Sequence, residues 1–152
     1  MTQNTVQSSY SRYMTNGAAG AAASMHGWDA DTKQAAGNIP FGYAVSKNAT
    51  QDGVVAGGTL FTGVAIRDIT LVHTTPDRYE SGDNVGVLTQ GDIWVLVEEA
   101  VVAQTQAKYD TSTGQLGKAA GTAISGAYWM TSADAGALAV LRLATGAVDV
   151  TT

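Results

Sequence analysis

Two textures divide this chain. From Ile39 onward short apolar runs alternate with polar punctuation, whereas Met1 to Asn38 is rich in Ala, Gly, Gln, Ser and Thr. Its large side chains are widely spaced, at Tyr10, Tyr13, Met14, Met25 and Trp28. In the second part, Gly42–Lys47 reads as a strand and Asn48–Gly58 as a glycine-containing loop. Along Leu60–Val72, Val64 and Ile66 share a face, but Ile69 and Leu71 continue the alternation one residue out of phase. A one-residue slip exchanges the faces of a strand, so Arg67-Asp68 is expected to mark a bulge, a sharp bend or a change of sheet.

Pro76-Asp77 and Ser81-Gly82-Asp83 punctuate the chain next. Val85–Leu88 and Ile93–Glu98 then flank Thr89-Gln90-Gly91-Asp92, a pattern that predicts a hairpin. In the second run Ile93, Val95 and Val97 lie on one face and Trp94 and Leu96 on the other, which predicts a strand covered on both sides. Further turns are expected at Asp110–Gly114, Ala133–Gly136 and Thr145-Gly146. Turn signals this frequent, with no long segment of helical period, predict an all-β body over residues 39–152, a small β-barrel or β-sandwich. The 18 glycines suit its hairpins and bulges.

Residues 1–38 read as an extended N-terminal arm. One helical turn is predicted where Tyr10, Tyr13 and Met14 lie three and four apart, while Gly17–Ala23 mixes helix-favouring alanine with helix-opposing glycine. The segment has too few large apolar side chains to offset an ordering cost of about 1–2 kcal/mol per residue. Order there is expected to come from a partner, with Tyr10, Tyr13, Met14, Met25 and Trp28 as anchors in a neighbouring protein.

Composition narrows the function. At 152 residues the chain is long enough for one stable domain without cross-links. Cysteine is absent, which excludes disulfides and thiolate chemistry. The N-terminus lacks the basic start and apolar run of a signal peptide, and no apolar run is long enough to span a bilayer. The net charge of −5 falls on the β-rich part, because Arg12 and Lys33 balance Asp29 and Asp31. Without clustered Lys and Arg, nucleic acid is not an expected partner.

Catalytic chemistry has few candidates. The two histidines, His26 and His73, stand apart, and no G-x-S-x-G elbow holds a serine nucleophile. Asp29-Ala30-Asp31 offers too few oxygens for a hard cation and reads as a solvated loop or cap. Glu98-Glu99 point to opposite faces of a strand, a poor acid/base pair. Gly57-Gly58 and Gly17-Ala18-Ala19-Gly20 lack the lysine and spacing of a phosphate loop. Neither an enzyme, nor a cofactor, nor a metal site is expected. Trp94 and Tyr128-Trp129 read as core or interface aromatics in preference to a sugar groove.

From Gly82 to Val95 the chain resembles the head-decoration, or structural cement, proteins of tailed bacteriophages, in which a Gly-bounded turn leads into a G-D-x-W-V strand, here Gly91-Asp92-Ile93-Trp94-Val95. Phe41–Val45, Phe61–Ala65 and the hairpin from Lys108 to Leu116 are similar to other strands of that family, so the resemblance covers roughly residues 40–120. It departs from the family pattern in its first forty residues and at Arg67–Thr70, where a more basic segment is common. The resemblance implies a virion protein on the outer surface of the phage head, present in the host cytoplasm during assembly. It would bind the major capsid protein as a dimer or trimer. The competing expectations are a tail or baseplate module and a carbohydrate-binding β-sandwich using Trp94 or Trp129.

Overall fold

The computed structural model describes residues 17–24, 27–48, 53–71 and 73–149. In chain order their strands are β1 (Asp29–Ala35), β2 (Ile39–Pro40), β3 (Ala44–Lys47), β4 (Gly53–Ala56), β5 (Phe61–Ala65), β6 (Arg78–Tyr79), β7 (Asn84–Leu96), β8 (Gln106–Tyr109), β9 (Thr122–Trp129) and β10 (Leu138–Asp149). No helix occurs among the described residues, and the fold is all-β.

Five strands close on themselves in the order β1, β4, β3, β5, β7, with β7 returning to β1. Only the β1–β4 pair is parallel. Closure leaves this barrel no open edge. Past Gln90, β7 runs out of the barrel and pairs with β10, which carries β9 and then β8. A two-stranded ribbon of β2 and β6 stands beside the barrel.

Consecutive side chains of the barrel strands enter different cores, as the two-residue period of a strand requires. Val45, Val54, Ala65, Val85 and Val87 cluster with Ile39, Phe41 and Tyr79 of the ribbon region. Their neighbours Ala44, Val64 and Leu88 join Ile93, Val95, Ile124, Trp129, Leu141 and Leu143, the layer between barrel and second sheet. This double burial makes the barrel strands read as continuous apolar runs. The Tyr79 hydroxyl donates to the Ile66 carbonyl, and burial pushes its pKa up to about 12.

Several sequence expectations are corrected. Thr89–Asp92 is not a hairpin turn but the interior of one 13-residue strand. Gly91, at φ 134°, bends β7 where it changes partners from β1 to β10. The polar residues that mimic a turn are consumed in the sheet: Thr89 Oγ1 donates to the Asp29 carbonyl at 3.2 Å, and Asp92 is paired with Arg142. Thr145-Gly146 likewise lies inside β10, at a register shift between Leu143 and Val148. The 48–58 loop contains β4. At Arg67-Asp68 the chain has already left β5, and Asp68 Oδ1 accepts from the Thr70 amide and hydroxyl at 2.9 and 2.6 Å. Ile69 is 87% exposed. The turns at 110–114 and 133–136 form as expected.

Residues 17–24 and 29–35, grouped with the arm by composition, are hydrogen-bonded to the body. Asp29–Gln34 pair with β7, and Ala35 is buried in the barrel core. Backbone groups, rather than large apolar side chains, provide the attachment, and composition does not register them.

Candidate functional site

The second sheet packs its inner face on the barrel, which leaves its outer face to solvent. In a half-buried sheet that face is normally polar. Here it carries cross-strand pairs of Trp94 with Val140 and Leu96 with Leu138, and Tyr128 lies opposite Arg142. Trp94, Val140 and Leu138 are half-buried, while Leu96 is 38% and Tyr128 46% exposed. The outer face thus carries apolar side chains beside the Asp92–Arg142 pair.

The N-terminal segment runs onto the same face. A Cβ on Gly17 would collide with the indole of Trp94, so the backbone lies directly on the ring. From there the chain pairs with the free edge of β7: Gly20 N–H donates to Trp94 O at 2.8 Å, Trp94 N–H to Ala21 O at 2.9 Å and Ala23 N–H to Asp92 O at 3.0 Å. Ser24 Oγ donates to Asp92 Oδ2 at 2.7 Å. Asp92 is buried and takes a two-pronged bond from Arg142, Nε to Oδ1 at 2.8 Å and Nη2 to Oδ2 at 2.9 Å. That bond raises the Arg142 pKa further, and the fork geometry fixes the carboxylate that receives Ser24.

Of the expected anchors, Tyr10, Tyr13, Met14 and Met25 lie outside the described residues. Trp28 is described: it is 38% exposed, and its ring lies against Gly91 at the bend of β7. Sequence reasoning missed the outer face as a surface. It placed Trp94 and Leu96 opposite the Ile93 row, but it took both sides as covered. The tyrosine-tryptophan pair splits by strand parity. Trp129 is 2% exposed within the core, whereas Tyr128 points outward.

The titratable groups support structure more readily than chemistry. His26 lies outside the described residues. His73 Nε2 lies 2.6 Å from Asp83 Oδ2, and its Nδ1 lies 3.4 Å from Glu80 Oε2. Asp83 also accepts from the Glu80 amide at 2.7 Å. The amide bond, then the His73 bond, hold the Asp83 carboxyl below its ordinary value of 3.8. A depressed carboxyl contributes stability above its unfolded pKa and loses it as pH falls through the folded value. The melting temperature is therefore expected to fall below about pH 4, less steeply in Asp83→Asn. Parallel acid limbs in thermal scans of the two proteins would refute this role. Among the described residues no cluster of His, Asp and Glu is arranged to hold a metal. A depression of about 400 Å³ between 100–108 and 117–119 is lined by Val101, Val102, Trp129, Lys108 and Lys118, without a carboxylate or imidazole.

The family model described as structural cement protein (E217 gp24/Pam3 gp6) matches residues 6–144. Among solved structures, a chain in the capsid of Myoviridae phage XM1 superposes with a TM-score of 0.68 at 14% identity, over 89% of this chain and 94% of that one. The head fiber gp8.5 N base of bacteriophage phi29 superposes with a TM-score of 0.52 at 14% identity, over 77% of this chain and 94% of that one. These likenesses are of fold. No curated protein sequence matches the chain significantly.

Proposed function

Because the chain belongs to the phage structural cement protein family, we propose that it binds the outer surface of the assembled head and stabilises the lattice of the major capsid protein there. The observation that carries this reading is the apolar outer face of β7, β10 and β9, onto which the N-terminal segment leads. The capsid footprint would combine that face with Trp28 and with Tyr10, Tyr13, Met14 and Met25, all of which fall within the span of the family match. Dimers or trimers on the head are part of the proposal, as is passage through the host cytoplasm during assembly.

The mechanism is linkage. A protein that binds only the assembled lattice lowers the free energy of that state by an amount set by occupancy and affinity. A compact barrel gives each copy a rigid body, and an arm lets it span a joint between capsid subunits without a large rigid interface. Catalysis plays no part, and the acidic net charge argues against nucleic acid as the partner.

Purified protein added to expanded shells that lack it is expected to bind at a fixed number of copies per capsomer and to raise the temperature of shell disruption. No binding at micromolar concentration, or unchanged disruption, overturns the reading. Labelling at tails instead of heads in electron micrographs would favour a tail or baseplate module. The carbohydrate alternative is weakened by the burial of Trp129.

A further inference from the structure

The root of the N-terminal segment threads a slot in which the Arg67 side chain meets it at Ala19. Gly20 is bonded on both sides: its N–H reaches Trp94 O, and its carbonyl accepts from the Arg67 amide at 2.8 Å. Arg67 adds its side chain, donating from Nε to the Ala19 carbonyl at 2.9 Å. The guanidinium is itself fixed, by Asp77 Oδ1 at 2.8 Å from Nη1 and by the Phe41 ring, whose centroid lies 5.2 Å from Cζ. Planar stacking with two separate donations is within the reach of arginine and beyond that of lysine. The slot also selects its occupant by size. A Cβ on Gly20 would approach the Arg67 amide nitrogen to 2.7 Å, and one on Gly42 would approach the Gly20 nitrogen to 2.9 Å. Gly20 sits at φ 83°, a conformation that glycine adopts without strain.

Arg67 lies past the end of β5 and takes no part in the barrel ladders. Apart from its ion pair and stacking, its bonds converge on Ala19 and Gly20. We propose that Arg67 is a positioning residue that clamps this root in register on β7, so that Gly17 is held beside Trp94, at the margin of the apolar face. A tethered anchor released at a fixed point has a higher effective concentration at its target than one released from a loose hinge. The purpose of the clamp rests on the capsid-binding reading, whereas its existence does not.

Hydrogen exchange on the full chain tests it. In Arg67→Met the amides of Gly20 and Ala23 are expected to exchange at least about ten times faster while those of β3 and β5 keep their rates, with Arg67→Lys falling between. Affinity of Arg67→Met for expanded shells is expected to drop about tenfold, with the melting temperature little changed. Unchanged exchange at Gly20 overturns the clamp. Faster exchange with undiminished shell affinity overturns its positioning role. If the wild-type chain itself fails to bind shells, the capsid reading and the positioning role fall together, while the exchange rates still decide whether the clamp exists.

Discussion

Gly114→Ala is expected to lower the melting temperature by roughly 10 °C, far more than one methyl group costs on the surface. Gly114 ends the 110–114 turn at φ 86°, where a side chain is strained by about 1–2 kcal/mol. Its missing Cβ is also occupied space. An added methyl would lie 2.5 Å from the Gly57 nitrogen, 2.6 Å from the Ala44 oxygen and 3.1 Å from the Ala56 carbonyl carbon, all backbone atoms that cannot rotate away. The crossing is where the second sheet grips the barrel. Ala44 N–H donates to Gly114 O at 2.7 Å, Gly58 N–H to Thr111 O at 2.8 Å, and the Tyr109 hydroxyl to Gly58 O at 2.8 Å. Strain and displaced hydrogen bonds together come to about 3 kcal/mol or more. Gly136 is the control. It has a similar φ of 79° but nothing within 4 Å of its would-be Cβ, so Gly136→Ala is expected to cost only about 1 kcal/mol, or roughly 3 °C. Equal losses in the two variants, followed by calorimetry, would show that the crossing is not tight.

What was legible in the chain follows from where the information resides. The all-β class is written in turn chemistry that needs no partner strand, and Asp110–Gly114 and Ala133–Gly136 fold as their residues dictate. Barrel closure is not written in side chains. It depends on Asp29–Gln34, mostly exposed and loop-like in composition, whose contribution is an antiparallel backbone ladder to β7. The error at Thr89–Asp92 has a related cause: a glycine that can make a turn can equally bend a long strand, and only the partner strands decide. For the candidate site, Trp28 stands out in a polar segment, and Trp94 and Leu96 stand out by alternation. The slot for residues 17–24 is invisible to such reasoning, because its specificity lies in absent Cβ atoms at Gly17, Gly20 and Gly42. A stretch of Ala and Gly has the same composition whether it is a loose linker or a segment wedged between Arg67 and β7.

Removing residues 1–16 is expected to weaken binding to expanded shells about 100-fold while leaving the melting temperature of the free protein within a few degrees of wild type. The segment holds Tyr10, Tyr13 and Met14, of residue types that serve as interface anchors. Losses of about 1 kcal/mol for each sum to nearly 3 kcal/mol, which corresponds to the stated factor. Truncation after residue 16 spares the clamp at Ala19–Gly20 and every strand of the described residues, the first of which, β1, starts at Asp29. Trp28→Ala should behave differently. Its ring packs on Gly91 at the bend of β7, so the substitution is expected to cost both shell affinity, about 2 kcal/mol, and some stability of the free protein. Sedimentation of labelled protein with shells and thermal scans of the free chain separate the two effects. A truncated chain that binds within threefold of wild type would assign capsid binding to the sheet face and not to the arm. A truncated chain that melts ten degrees lower would make residues 1–16 part of the fold instead of its reach.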